Sequence, residues 1–480
     1  MPYLTRRTAL QAAAAAVAAG TLPMPDALAQ GGGQAAGPDR AGTAALAERP
    51  LFGASMRTLP NGLRVVHVES RRAPVIGQYV FVQAGSGEDP AGRSGVAHYL
   101  EHMMFKGSPR VASGEFSRRV AREGGMDNAF TSRDLTGYFQ QVEASRLPLV
   151  SLMEADRFAG AVIPEAEMEA ERQVVIEERR QRTDSSPRAL FGEAFDAAMW
   201  GPQHWRGRPI IGWEDEIRAI THADLREFYR NRYGAGNCIL VVVGAVTEAE
   251  LRQVAEGEWA ALPARPAVPR ERPAGPAAPP EPRLTRQDPR LRGEGFFVRS
   301  WYAPTLTFGE ARHAYPLEVL RHVLGGGTGS RLHRALVETG LALGAGAGYD
   351  GDALGIGEFD VSATPRRETP PARLEQALAA EVKRLLDEGG PTEAEVVRAI
   401  RQMTAGALLA LDGIGAAPRM IGSALAIGLP LESVEFWPAR LRAVTRAQVA
   451  EAAEAVLGRA VSASGWLLPT GTDAPAEVRL

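Results

Sequence analysis

Lysine is nearly absent from this chain: Lys106 and Lys383 stand against 52 arginines in 480 residues. With so much alanine, glycine and proline, this is a bias of composition, and no single arginine carries meaning by its presence alone. Cysteine occurs once, at Cys238, which excludes an intramolecular disulfide. It opens the apolar run Cys238–Val243 and reads as a core thiol on a buried strand. No G-x-x-x-x-G-K-[ST] segment is present, which excludes a P-loop nucleotide enzyme. An excess of charge of one sign is missing too. The net charge is −3, so no pull toward nucleic acid or an anionic membrane is implied. No apolar run reaches the ~20 residues of a membrane-spanning helix. Gly92-Arg93-Ser94-Gly95 does not fit the G-x-S-x-G frame of a serine nucleophile.

What remains is the balance of a globular protein, 45% apolar and 23% charged, with length for two or three domains. Arg6-Arg7, the apolar run Ala9–Ala19 and Ala27-Leu28-Ala29 predict an export signal over residues 1–29. Twin-arginine and general secretory export both fit that segment, and either leads to the bacterial periplasm. Residues 30–49 are expected to form a flexible lead-in, and 50–261 a first domain of mixed strand and helix. Residues 262–282 hold eight prolines and are expected to form a stiff linker rather than a packed element. A second domain follows over 283–480.

The two domains read as distant copies. In each, an apolar strand (Val75–Val82, then Phe296–Trp301) leads to a helix. A shift of 218 residues sets Pro316, Val319 and Leu320 opposite His98, Glu101 and His102. Polar chemistry therefore belongs to the first copy alone. In its pentapeptide His98-x-x-Glu101-His102, the i and i+4 imidazoles share one helix face, within reach of one ion. Glu101 is close enough to act on water at that ion without ligating it. A further anionic ligand is needed, and Glu171-Arg172-Gln173-Val174-Val175-Ile176-Glu177-Glu178 offers carboxylates two turns apart. Val174, Val175 and Ile176 are expected to dock that helix into the core. His67 and His322 lie in apolar surroundings and read as packing or surface residues, and His204 as loop packing. Gly325 to Gly327 reads as a helix end.

H-x-x-E-H is the inverted zinc motif, and the chain around it resembles the pitrilysin family of zinc peptidases. The resemblance runs through Gly95-x-x-His98-x-Leu100-Glu101-His102-Met103-x-Phe105-Lys106-Gly107 and Gly124-Gly125-x-x-Asn128-Ala129-x-Thr131-x-x-Asp134-x-Thr136-x-Tyr138. It continues through Glu171-Arg172-x-Val174-Val175-x-x-Glu178, Arg208-Pro209-Ile210-Ile211-Gly212 and Ser330-Arg331-Leu332. It implies an α+β fold of two homologous domains, each an antiparallel sheet with helices on one face, in a clam-shell arrangement. It also implies Zn²⁺ held by His98, His102 and Glu178, with Glu101 as general base and Glu171 orienting a ligand. Glu177 is left to solvent. Asn128 and Ala129 fall in the edge-strand segment where such enzymes bind an extended peptide.

The function so implied is a zinc endopeptidase of unfolded or extended peptides. A second reading is a scaffold or peptide-binding subunit without catalysis, although such subunits typically lose ligand residues. Active single-chain members carry an Arg and a Tyr, seven residues apart, in the second domain. Here those positions are Leu336 and Leu343, and Arg331, Arg334 and Tyr349 nearby are out of register. A homologous partner subunit supplying the Arg/Tyr pair is therefore expected.

Overall fold

The computed structural model describes residues 49–480, apart from 292–294, 411–412, 474, 477 and 479–480. The expected export signal and nearly all of the expected lead-in lie outside the described residues. Two sheets carry the fold. The first orders its strands β1-β2-β6-β3-β5-β4: β1 Ser55–Thr58, β2 Arg64–Glu69, β3 Val75–Val82, β4 Met126–Thr131, β5 Thr136–Glu143 and β6 Cys238–Gly244. The second orders them β7-β11-β8-β10-β9: β7 Arg283–Asp288, β8 Phe296–Ala303, β9 Ala342–Tyr349, β10 Gly357–Pro365 and β11 Ala463–Pro469. Without β1 the two topologies are the same, down to one parallel pair in each, β2 with β6 and β7 with β11. The sheets are thus mixed rather than purely antiparallel. The repeat extends to the helices, since α1, Val96–Met103, begins 218 residues before α4, Ala314–Gly325.

Helices cover both faces of each sheet, not one. β3 and β6 are apolar on both faces and would leave one bare to water under a single layer. In the first half, one face packs on α1 and on helices Leu147–Gly160 and Glu248–Glu258. The opposite face receives α5, Ala416–Ala426, from the second half, with Ile421 and Leu425 against Phe81 and Val241. The exchange is reciprocal. α3, Pro187–Trp200, leaves the first half and sets Phe191 and Phe195 against Phe296, Val298 and Leu467 of the second sheet. Each fully buried side chain of this size contributes roughly 1.5–3 kcal/mol. The leaves of the expected clam shell are therefore joined through two swapped helices.

Residues 262–282 run between the sheets without regular structure, but not as a free spacer. The Arg270 Nε and Arg272 Nη1 atoms lie 2.8 and 2.7 Å from Glu88 Oε1. Arg272 also reaches Asp134 Oδ1 at 3.1 Å, and Arg270 Nη1 donates to the Ala426 carbonyl of α5 at 2.9 Å. Proline stiffness was legible in the sequence; docking through these arginines was not.

Candidate metal centre

α1 starts where two backbones nearly touch. Gly95 has φ +92° and Gly212 φ +93°; a Cβ on Gly95 would stand 2.5 Å from the Ile211 carbonyl oxygen. Asp89 then accepts from the Gly95 and Ala97 amides at 2.7 and 2.8 Å, satisfying donors at the open end of the helix. His98 and His102 follow one turn apart, their ring centroids 4.8 Å from each other.

The facing helix, α2, is Glu165–Arg179, and it brings two of its carboxylates, Glu171 and Glu178, to His102. Glu178 Oε2 lies 3.1 Å from His102 Nε2 and 3.7 Å from His98 Nε2, and Glu171 Oε1 lies 2.8 Å from His102 Nδ1. The i, i+7 spacing thus grips His102 from both sides. A carboxylate at Nδ1 keeps the proton on that nitrogen, so that when the ring gives up its other proton it is Nε2 that offers a lone pair. One atom each from His98, His102 and Glu178 lies within 4.8 Å of the others. Glu177 is exposed and pairs with Arg180. Val175 and Ile176 are buried as expected, whereas Val174 is 49% exposed, because 100° per residue turns it out of the apolar stripe.

Burial and the neighbouring His102 push His98 down to about 3, which keeps it neutral, with its Nδ1 buried and unbonded among the described residues. Burial works against charge on His102, but Glu171, Glu178 and Glu101 outweigh it and hold the ring up to about 9. Burial likewise opposes ionisation of Glu178, yet His102, His98 and Arg182 bring it down to about 2. Burial raises Glu101 to about 7. One neutral imidazole, a second between carboxylates and an ionised glutamate make a donor set that fits a zinc ion. Glu101 adjoins this set, and the Thr131 hydroxyl donates to its Oε2 at 2.5 Å.

β4 is the outer strand of the first sheet and carries Asn128 and Ala129, with one edge open among the described residues. Asn128 Oδ1 accepts from the Ala129 amide at 2.9 Å. Sequence reasoning gave no role to Thr131, Lys106 or Arg182. Lys106 pairs with Glu171 and Arg182 with Glu178 Oε1. Retention of a lysine at 106 in so arginine-biased a chain was the available signal for the first of these. Ser94 accepts from the Trp213 amide, a structural bond. His67 bonds the Val246 carbonyl, His322 reaches Gln402, and His204 stacks on Trp200.

In the second half, Leu336 is fully buried in the core and Leu343 is 47% exposed on β9. Arg331 is spent on Glu395 and Glu388, Arg334 on Glu395, and Tyr349 on the Pro304 carbonyl.

Two like α+β halves, one with a His-His-Glu cluster, define a two-domain α+β fold with a candidate metal site. Residues 64–211 match the family described as insulinase (peptidase family M16), and residues 219–403 match the peptidase M16 inactive domain. The chain belongs to this family, the pitrilysin type that its motifs resemble. It is 30% identical over 422 residues to an uncharacterized zinc protease of Streptomyces coelicolor, covering 85% of this chain and 88% of that one. It is 37% identical over 208 residues to the zinc protease PqqE of Helicobacter pylori, 43% of this chain and 46% of that protein. Among solved structures, a protease from Helicobacter pylori superposes with a TM-score of 0.78 at 25% identity, over 88% of this chain and 100% of the other.

Proposed function

We propose that the chain is a zinc-dependent endopeptidase acting on extended peptides. The observation that carries this is the meeting of two imidazoles and one carboxylate within 4.8 Å beside a glutamate left free of the cluster. In this reading His98, His102 and Glu178 hold zinc, and Glu171 orients His102. Zinc in such a site supplies a Lewis acid able to acidify water and polarise a peptide carbonyl. Glu101, raised by burial to about 7, takes a proton from the attacking water and returns it to the leaving amine. The open edge of β4 at Asn128 and Ala129 aligns the peptide backbone as an added strand. A scaffold subunit has no need of the complete donor set.

The partner follows from the second half, whose two donor positions are leucines. Losing one donor to a tetrahedral oxyanion costs roughly 10²–10³ in rate, so the lone chain is slow and a homologous subunit with the Arg/Tyr pair completes the site. Residues 1–29 direct the chain to the periplasm. The test compares Glu101→Gln with wild type, alone and with a co-expressed homologue: zinc stays stoichiometric while hydrolysis of a flexible peptide is lost. Activity retained in Glu101→Gln would refute the assigned base. Full wild-type activity without the homologue would remove the partner. A mature form beginning near Gln30 checks export.

A further inference from the structure

We propose that Thr131 is a positioning residue for Glu101, tying the carboxylate to the strand along which the peptide lies. The inference rests on the peptidase reading above. Glu101 sits near the end of a two-turn helix, and a glutamate there has several rotamers to choose among. Its carboxylate accepts a hydrogen bond from Thr131 Oγ1 at 2.5 Å. Thr131 is the last residue of β4, paired with Thr136 on β5. It lies two residues beyond Ala129 and shares its face of the strand, the face packed on the first core and α1. A peptide added to the outer edge of β4 would lie one strand spacing away, about 4.8 Å. One strand then sets both the register of the peptide and the aim of the base.

That strand end is unusually well held. The Ser86 amide donates to the Ser132 carbonyl at 3.0 Å and the Gly87 amide to the Arg133 carbonyl at 2.9 Å. Arg133 Nη2 lies 2.6 Å from Asp196 Oδ2 on α3. Asp134 takes Arg272 from the proline-rich segment and, at 3.1 Å, the Leu354 amide from the second half. The Thr136 hydroxyl donates to the Ala84 carbonyl at 2.9 Å. The turn after Thr131 is therefore pinned by both halves of the molecule, far more than a hairpin turn needs for its own stability. A hydroxyl on so fixed a backbone is a reference point for Glu101, and misplacing a reacting group by ~1 Å costs about 10²-fold.

The test uses the full zinc-loaded chain, with the homologue if activity requires it. Thr131→Val keeps the branched shape and removes the donor; Thr131→Ser keeps the donor. Zinc content, thermal midpoint, kcat and KM on an unstructured fluorogenic peptide, and crystal structures of both variants are compared with wild type. Thr131→Val is expected to keep one zinc and its melting temperature, with kcat down about 10- to 100-fold, KM within about twofold, and the Glu101 carboxylate displaced. Thr131→Ser is expected to restore both kcat and the carboxylate position. A Thr131→Val enzyme with unchanged kcat, an unmoved Glu101, a raised KM alone, or loss of zinc would each overturn the proposal. If wild type itself hydrolyses nothing, the peptidase reading fails, and the carboxylate positions still decide whether Thr131 holds Glu101.

Discussion

The first and second halves of this chain share a strand order and a helix in the same place, and differ in what that helix carries. In α1 it is His98, Glu101 and His102; in α4 it is Pro316, Val319 and Leu320, all buried. The second half packs Val319 and Leu320 into an ordinary apolar core. The fold therefore does not depend on the polar set. The first half holds buried groups that work against its own stability, since at His98 and Glu101 burial outweighs the nearby opposite charges and disfavours the charged form. Cost without structural return marks the first half as the one under functional demand.

The sharpest test of that contrast removes ligands. His98→Ala, His102→Ala or Glu178→Gln is expected to abolish stoichiometric zinc, and with it hydrolysis, while circular dichroism and the thermal midpoint stay near wild type. Unfolding of all three would show that the polar set does structural duty after all.

A smaller effect is expected where the second half has its own buried charges. Arg331 is 2% exposed and holds Glu395 by two bonds, at 2.9 and 2.8 Å. Arg331→Ala should cost about 1.5–3 kcal/mol in denaturant unfolding, because it removes two charge-assisted bonds from buried Glu395 and leaves it to Arg334 and Thr392. Burial opposes charge on Glu395, yet Arg331 and Thr392 hold it at about 2 against an ordinary 4.5. The unfolded chain binds that proton more readily, so the contribution is full above about pH 4.5 and fades as pH falls toward 2. Acid titration of the unfolding midpoint should show this loss in wild type and less of it in Arg331→Ala.

The smallest effect belongs to Glu177→Gln. Its side chain is about half exposed and pairs with Arg180 at the surface, so zinc content and hydrolysis should stay within experimental scatter of wild type. Loss of zinc there would move the third ligand by one residue.

Much of the site was legible because its chemistry is local. One pentapeptide sets two imidazoles on one helix face, and an i, i+7 pair of glutamates fixes how α2 meets it. The strands at 75–82 and 296–301 could be read from apolar runs, and the repeat from a constant offset. What stayed hidden depends on long-range contact. Thr131 meets Glu101 across 30 residues, Arg272 meets Glu88 from a segment that composition marks as a spacer, and the swapped helices carry no label saying which sheet they cover. Val174 was misread because three consecutive apolar residues cannot all face one way on a helix.

The exchange of α3 and α5 also sets a timetable for synthesis. The outer face of the first sheet is closed by residues 416–426, so a ribosome must make nearly the entire chain before that face can be covered. Until then Phe81, Val241 and their neighbours are available to chaperones, or to another nascent copy. The halves follow one pattern, yet each leaves part of its apolar surface to a helix of the other. A gene encoding only residues 50–261 would yield a sheet with one wet apolar face and a helix, α3, with nothing to cover.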